Sequence, residues 1–154
     1  MKNWLMKTEP SLFSLADLKA CPDGTAEWEG VRNYQARNIM RDEMKKGHRV
    51  LFYHSATKVP AIVGTAVVAR EAYPDDSAWN PESRYFDPKS SPDNPRWVMV
   101  DIRFEQEFPG PLPLEELRKM PKLKDMMLLR RGARLSVQPV TAKEWKAILK
   151  IAGL

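Results

Sequence analysis

The segment RVLFYHS, residues 49–55, has the alternating pattern on which the predicted fold depends. Successive side chains of a strand point to opposite faces, so Phe52 and His54 share one face while Tyr53 and Ser55 share the other. We therefore predict a β-strand here and interpret the segments on either side in relation to it.

Four further segments have strand character around this one. Residues 3–7 and 97–108 alternate, residues 61–72 are rich in Val and Ala, and RLSVQPV (134–140) contains a short apolar stretch. Gly64, inside the Val-rich segment, is typical of a bulge or a bend, which a closed barrel needs.

Short helices are predicted between and after the strands. Ser14 followed by Asp17 resembles a capping box at the start of LADLKA, and Asn33 is positioned to cap a second helix over residues 34–45. The other helical signals are Pro113, one or two turns in residues 123–129, and a capping box of Thr141 and Glu144. The pattern predicts one α+β domain over residues 1–154: a small, mostly antiparallel β-barrel with peripheral short helices.

The composition suits a globular protein with a polyanionic partner. The chain has a formal charge of +5, with basic clusters in residues 45–49, 119–124 and 130–134. Nucleic acid is the commonest polyanion for such clusters, although a solvated surface also accounts for so mild an excess. No apolar stretch reaches the ~18 residues of a membrane span and no signal peptide is recognisable, so no membrane partner is expected. Cys21 is the only cysteine, which excludes an intramolecular disulfide and makes a reducing cytoplasm the expected compartment.

The sequence lacks the common signatures of catalysis. His48, His54 and one cysteine do not make a zinc ligand set, and no phosphate-binding glycine loop or nucleophile elbow is present. His54 and Ser55 are adjacent in a strand and point to opposite faces, which argues against a base and nucleophile pair. We therefore expect no enzymatic activity, no metal and no cofactor.

The segment WEGVRNYQARN, residues 28–38, has the composition of a binding site. Trp28 and Tyr34 flank Gly30 and Asn33, and aromatic faces with amides at the ring edge are how proteins hold an unstacked base. The competing interpretation makes Trp28 and Tyr53 core residues and Asn33 only a helix cap. Both interpretations fit the pattern, and the polar neighbours of Trp28 favour a pocket wall.

A long connection lies between two of the predicted strands. Residues 73–95 include five prolines together with Trp79, Tyr85 and Phe86. Connections of this length inside a compact domain are usually functional or disordered, and the aromatic residues argue against disorder. The segment is expected either to cover a site or to be pinned against the barrel.

Beyond these patterns, the chain closely resembles the EVE domain family. The matching segments are WLMKTEP (4–10), WEGVRNYQARN (28–38), LFYHS (51–55), EAYPD (71–75) and RLSVQPV (134–140). The resemblance implies a PUA-like fold, distantly related to the YTH domains that read methylated adenine in RNA. It also implies a non-enzymatic nucleic-acid-binding module that reads a modified base, particularly modified cytosine in DNA, in a recessed, aromatic-lined pocket.

The resemblance also implies which residues form that pocket. Carried over by motif, they are Lys7, Thr8, Glu9, Trp28, Val31, Arg32, Asn33, Tyr34, Tyr53, His54, Ser55, Ser136, Gln138 and Pro139. The residues expected to contact the nucleic-acid backbone are Arg37, Arg41, Arg130 and Arg131. Arg32 is either a donor to the ligand or a member of a buried structural pair, and Gly30 would let backbone amides approach the ligand.

Two alternative functions stay open at this point. One is an RNA-associated PUA-like accessory module that recognises shape, and the other is an enzyme acting on a nucleotide or planar small molecule with His54 and Glu9 as its acid and base. A basic rim around the pocket favours a nucleic-acid partner, whereas an enzyme needs two titratable groups converging inside it. DNA and RNA are not distinguished by the sequence. It also specifies no oligomeric state, and a monomer is the working expectation.

Overall fold

Six strands form one sheet in the computed structural model, which describes all 154 residues. They are β1 (Asn3–Thr8), β2 (Thr25–Glu27), β3 (Arg49–His54), β4 (Ala61–Pro74), β5 (Val98–Pro113) and β6 (Val137–Val140). Their order across the sheet is β2-β5-β4-β3-β1-β6, which gives β3 a neighbour on each side. Only β1 and β3 run parallel. The predicted α+β class and the mostly antiparallel pairing are therefore confirmed.

Four short helices surround the sheet. They are α1 (Leu15–Ala20), α2 (Tyr34–Asp42), α3 (Leu114–Leu117) and α4 (Ala142–Ile151), with 3₁₀ turns at Pro22–Gly24, Asp76–Trp79, Pro121–Leu123 and Met127–Leu129. The predicted caps are confirmed: Ser14 and Thr141 form capping boxes, and the Asn33 side chain caps α2. None of the helices has the length and apolar character required to cross a membrane.

The sheet is buried on both faces, because alternate residues of its inner strands enter two different cores. The first core, on the side of α1 and α2, contains Val50 and Phe52 of β3. The second core, on the side of α3 and α4, contains Leu51 and Tyr53 of the same strand. The alternation predicted for residues 49–55 therefore separates two apolar layers.

The sheet is open, so the predicted closed barrel is wrong. The edge strands β2 and β6 lie at opposite ends of the sheet, and each pairs with a single neighbour. β2 has only three residues, and β6 contains Pro139, which has no N–H to offer a further strand. With helical layers on both faces, the apolar side chains are buried without the two edges having to meet.

The bend expected at Gly64 is present. The register of β4 against β5 shifts between Ile62 and Gly64, and a Cβ on Gly64 would lie 2.3 Å from the backbone oxygen of Gln106. Only glycine permits this close approach of the two strands. The short edge strand β2 had no sequence prediction, because three residues are too few to show an alternating pattern.

Candidate functional site

A cleft of about 730 Å³ lies beside the end of β1, with walls from five separate segments. This volume falls within the range of ~300–1,000 Å³ that is typical of small-molecule sites. Its lining residues are Lys7, Thr8, Glu9, Leu12, Phe13, Glu27, Trp28, Glu29, Gly30, Val31, Arg32, Ser55, Ala56, Arg84, Tyr85, Ala133, Arg134 and Ser136. Segments distant in sequence therefore meet at one concave surface.

The residues assigned by resemblance divide into two groups. Those that line the cleft are Lys7, Thr8, Glu9, Trp28, Val31, Arg32, Ser55 and Ser136. Those that do not line it are Asn33, Tyr34, Tyr53, His54, Gln138 and Pro139. In the second group, side chains are committed to other structural contacts or face elsewhere.

Trp28 belongs both to the cleft lining and to the core. Only 7% of its surface is exposed, and its ring packs edge-on against Phe13 and Phe52 at centroid distances of 6.4 and 5.6 Å. The two interpretations drawn from the sequence, pocket wall and core residue, therefore describe different parts of one side chain. Most of the indole supports the fold, and its small exposed part reaches the cleft.

Arg32 is the centre of a hydrogen-bond network with the segment that follows β4. Its NH1 donates to the Oδ2 of Asp75 at 3.0 Å and to the backbone oxygen of Val31. Its Nε and NH2 donate to the backbone oxygen of Tyr85 at 3.1 and 2.7 Å, and NH2 also donates to the Ser77 hydroxyl. A guanidinium has five N–H donors, so all are used within the chain. Arg32 was expected to be either a donor to the ligand or a member of a buried structural pair, and its contacts fit the second role.

The Asp75 carboxylate is completely buried and holds together three parts of the site. Besides Arg32, its Oδ2 accepts the backbone N–H of Gly30 at 2.9 Å, and its Oδ1 accepts the N–H of Ser77 at 3.0 Å. A buried carboxylate is stable only when it is paired and hydrogen-bonded, as this one is. The Gly30 amide is therefore directed at Asp75 and not at a ligand.

Tyr85 packs directly on Gly30 and lines the cleft. Gly30 has a φ of +85°, and a Cβ there would lie 2.6 Å from two atoms of the Tyr85 ring. Glycine is required at this position both by its backbone conformation and by the approach of the ring. The connection 73–95 is thus pinned to the protein through Arg32 and Asp75, which is one of the two roles considered for it, and it also supplies part of the cleft wall.

Tyr34 was predicted to hold a base, but it does not line the cleft, and one face of its ring is already covered. The ring stacks on Trp97 with a centroid distance of 4.8 Å. The guanidinium of Arg37 lies beside this pair, 4.7 Å from the centre of the Tyr34 ring and 5.9 Å from the centre of the Trp97 ring. Half of the residue is exposed, but that exposed surface lies outside the lining of the cleft. Its structural role is to fasten the start of α2 to the end of the connection.

The other residues outside the cleft lining also have structural contacts. Tyr53 is 3% exposed in the second core, because odd positions of β3 face α3 and α4. The Asn33 Oδ1 accepts the N–H of Ala36 at 3.0 Å, and the buried Gln138 amide donates to the backbone oxygen of Leu135. Pro139 is exposed on β6 and pairs with Trp4 in the register.

His54 does not join Glu9 in the lining, as the enzyme alternative requires. Its Nε2 accepts the backbone N–H of Leu15 at 3.1 Å, which caps the first turn of α1 from outside. Burial lowers the pKa of this imidazole, favouring the neutral form that accepts the hydrogen bond. No group of three or more His, Cys, Asp or Glu side chains is arranged to hold a metal ion.

Several polar groups of the cleft have no protein partner. The hydroxyls of Ser55 and Ser136 make no hydrogen bond within the chain, and the carboxylates of Glu9, Glu27 and Glu29 form no ion pair. The Thr8 hydroxyl is already a donor, to the backbone oxygen of Phe13. The cleft therefore offers free hydroxyl donors and free carboxylate acceptors to a ligand.

Glu29 differs from the other carboxylates of the cleft in its electrostatic surroundings. Partial burial is the main cause that raises its pKa above the ordinary value, and the negative charges of Asp75 and Glu27 raise it further. Arg32 acts in the opposite direction but is weaker. Its ionised form is thus poorly compensated within the protein, and a hydrogen-bond donor from outside would stabilise it.

The arginines assigned to the nucleic-acid backbone have different surroundings. Arg41 is paired with Asp42 at 2.8 Å, and Arg37 donates to Asn38 and to the backbone oxygen of Arg96. Arg130 and Arg131 are exposed, in the segment that leads to the cleft. None of the four is a lining residue of the cleft.

Several lining residues were not assigned from the sequence: Leu12, Phe13, Glu27, Glu29, Ala56, Arg84, Tyr85, Ala133 and Arg134. Some had a detectable signal. Tyr85 was among the aromatic residues noted in the 73–95 connection, Glu29 lies inside the WEGVRNYQARN segment, and Arg134 begins the RLSVQPV segment. Loop conformation decides which residues of these segments face the cleft, and a loop has no periodic sequence pattern from which its conformation could be predicted.

Comparisons with known proteins agree with this fold. The EVE domain model matches residues 2–151. Thymocyte nuclear protein 1 of Danio rerio is 46% identical, over 96% of this chain and 71% of the relative. A crystal structure of a Pseudomonas syringae protein has a TM-score of 0.93 and 43% identity, covering 97% of this chain and 99% of that one.

A further solved structure contains nucleic acid. It is the human THYN1 protein in complex with DNA containing 5-methylcytosine, with a TM-score of 0.94 and 40% identity, covering 100% of this chain and 99% of that chain. The similarity extends over all six strands and both helical layers described above. This chain belongs to the EVE domain family.

Proposed function

We propose that this protein is a non-enzymatic reader of modified cytosine in DNA, which binds the base in the cleft. The observation that carries the proposal is the set of unpaired hydroxyls and carboxylates between aromatic walls. Its likeness over the whole chain to human THYN1, which was solved with DNA containing 5-methylcytosine, supports the choice of base. A base inside a duplex must first leave the stack to reach such a recess.

The free polar groups match the hydrogen-bonding edge of cytosine. Cytosine presents an exocyclic amino donor, which carboxylates accept, beside ring-nitrogen and carbonyl acceptors that hydroxyls satisfy. We assign the amino contact to Glu29, because its carboxylate is partly desolvated and has no cation of its own. Ser55 and Ser136 supply the hydroxyl donors.

The apolar part of the cleft suits a methyl group on the base. Leu12, Phe13 and Val31 contribute apolar surface to the lining, which also includes the ring of Tyr85. Burying one methyl group in such surroundings contributes about 0.8 kcal/mol. A preference of about fourfold for methylated over unmethylated cytosine follows from this contact alone.

Thymine provides the sharpest test, because it carries the same methyl group but presents a carbonyl where cytosine has its amino group. We would measure the affinity of three fully paired duplexes that differ only at one position: 5-methylcytosine or cytosine opposite guanine, or thymine opposite adenine. The expected order is 5-methylcytosine first, then cytosine, with thymine weakest. Binding of the thymine duplex as tight as that of the 5-methylcytosine duplex would refute base recognition by a carboxylate.

The Glu29→Gln variant tests whether Glu29 causes the preference for 5-methylcytosine over thymine. An amide can donate to the thymine carbonyl, so the preference for 5-methylcytosine over thymine should fall by about 5- to 150-fold, the value of one good base contact. Glu115→Gln, at an exposed glutamate of α3 outside the cleft, is the matched control and should keep the preference. Equal behaviour of the two variants would exclude Glu29 as the acceptor.

The absence of catalysis is tested with the same oligonucleotides. His54 makes a structural hydrogen bond outside the lining, so no acid and base pair of His54 and Glu9 supports turnover. Mass spectrometry of the DNA after prolonged incubation should show the bases unchanged. A time-dependent product that disappears in a Glu9→Gln variant would instead support the enzyme alternative.

A further inference from the structure

The cleft contains four cationic and three anionic side chains, and two of the cations already have partners within the protein. The cations of the lining are Lys7, Arg32, Arg84 and Arg134, and the anions are Glu9, Glu27 and Glu29. Arg32 is neutralised by Asp75, and the Lys7 ammonium donates to the backbone oxygen of Ala133 at 3.2 Å. Burial lowers the pKa of Lys7, which shows that its charge is poorly solvated.

Only Arg84 and Arg134 remain as uncommitted cations. Both are exposed, both line the cleft, and neither side chain forms an ion pair or a hydrogen bond within the protein. They belong to different segments: Arg84 precedes Tyr85 in the 73–95 connection, and Arg134 follows the Ala133 carbonyl that Lys7 holds. Two independent elements thus bring a free guanidinium to the same opening.

We propose that Arg84 and Arg134 bind the phosphates on either side of the nucleotide that enters the cleft. The inference rests on the proposed function for the base itself. Phosphate would be repelled by the three carboxylates of the lining, so a nucleotide enters base first and leaves its phosphates at the exposed rim. The planar guanidinium fork matches a phosphate with two parallel hydrogen bonds, and free arginines are therefore suited to this rim.

This assignment differs from the expectation that named Arg41, whose guanidinium is paired with Asp42 and does not line the cleft. It also accounts for two arginines that line a cleft containing three carboxylates and yet form no ion pair. The Arg84 guanidinium lies 5.5 Å from the centre of the Tyr85 ring, so the phosphate contact and the cleft wall are adjacent. A strand crossing the opening can satisfy both at once.

The test measures salt dependence, because each neutralised phosphate contributes about 0.9 to the slope of log affinity against log salt for duplex DNA. Affinity of the duplex containing 5-methylcytosine and of its unmethylated counterpart would be measured from low to moderate salt for the wild type, Arg84→Gln and Arg134→Gln. In each variant the magnitude of the slope should decrease by about 0.9. At 0.1 M salt this corresponds to an affinity about eightfold lower than that of the wild type. The ratio between methylated and unmethylated DNA should stay unchanged.

Arg103→Gln is the matched control. Arg103 is an exposed arginine on β5 without an ion pair, and it does not line the cleft. The control removes the same net charge and should change the slope by much less. Equal slopes for Arg84→Gln, Arg134→Gln and Arg103→Gln would overturn the proposed rim, as would a change in the methylation ratio with an unaltered slope.

The two proposals fail in different ways. Wild-type protein that binds both duplexes equally would refute modified-base reading, while a loss of slope confined to the two rim variants would still support the phosphate contacts. Conversely, a clear methylation preference with wild-type slopes in both rim variants would refute only the rim. Circular dichroism of each variant would establish that the arginine changes leave the fold intact.

Discussion

Replacing Gly30 by alanine perturbs the contact that positions the Tyr85 wall. Gly30 has a φ of +85°, and an alanine in the left-handed region costs about 1–2 kcal/mol. The new Cβ would lie 2.6 Å from the Tyr85 ring, whereas ordinary contacts begin at 3.4 Å, so the ring must move by about 0.8 Å. Overpacking of this kind typically adds about 1–3 kcal/mol to the loss of stability.

Gly47→Ala separates the two contributions. Gly47 has a φ of +91° and nothing within 4 Å of the position of a Cβ, so this variant has the backbone cost without the collision. Urea denaturation should give a free energy of unfolding lowered by about 1–2 kcal/mol for Gly47→Ala and by about 2–5 kcal/mol for Gly30→Ala. Affinity for methylated DNA should fall by about 5- to 150-fold only in Gly30→Ala, because stacking on an aromatic contributes about 1–3 kcal/mol.

The double variant with Tyr85→Ala completes the test. With the ring removed, Gly30→Ala should cost no more stability than Gly47→Ala, since only the backbone conformation remains unfavourable. If Gly30→Ala and Gly47→Ala lose equal stability and equal affinity in the wild-type background, the contact between Gly30 and Tyr85 does not support the site, and the reasoning is refuted.

Three other perturbations test the structural basis of the site. Trp28→Ala should lower the free energy of unfolding by about 3–5 kcal/mol, as loss of a large core aromatic does; a variant of wild-type stability would show that Trp28 is not a core residue. Asp75→Ala should lower it by about 3 kcal/mol or more, because the Arg32 charge loses its buried partner; calorimetry showing an unchanged melting temperature would contradict this. Stability should also fall as pH drops below the ordinary histidine value of ~6.5, since burial lowers the pKa of His54 and the unfolded chain then binds the additional proton. His54→Gln should remove part of this dependence in denaturation midpoints measured between pH 5 and 8, and an identical pH profile in wild type and variant would exclude His54 as its source.

Local patterns in the sequence determined the elements and the layers of the core. The alternation of residues 49–55 separates Phe52 from Tyr53, and the structure buries them in two different cores. The capping residues Asn33 and Thr141 begin α2 and α4 as predicted. These features depend on neighbours within a few residues, so their physical cause is contained in the sequence itself.

Sheet closure was decided only by the tertiary structure. A bend at Gly64 is compatible with a barrel or with an open sheet, and the sequence does not state which strands become edges. The outcome depends on the helices packing against both faces and on short β2 and proline-containing β6 at the ends. Those are properties of distant segments in combination.

The tertiary structure also decided which of the assigned residues have structural contacts and which are free to bind a ligand. Motif resemblance gathered Arg32, Tyr34 and Trp28 as if all faced a ligand, because they are close together in the chain. Asp75, 43 residues after Arg32, takes up the guanidinium, and Trp97 covers one face of Tyr34. The hydrogen-bond donors and ring faces that a side chain can offer to a ligand are those not already used in contacts with distant parts of the chain. The sequence pattern does not show those contacts.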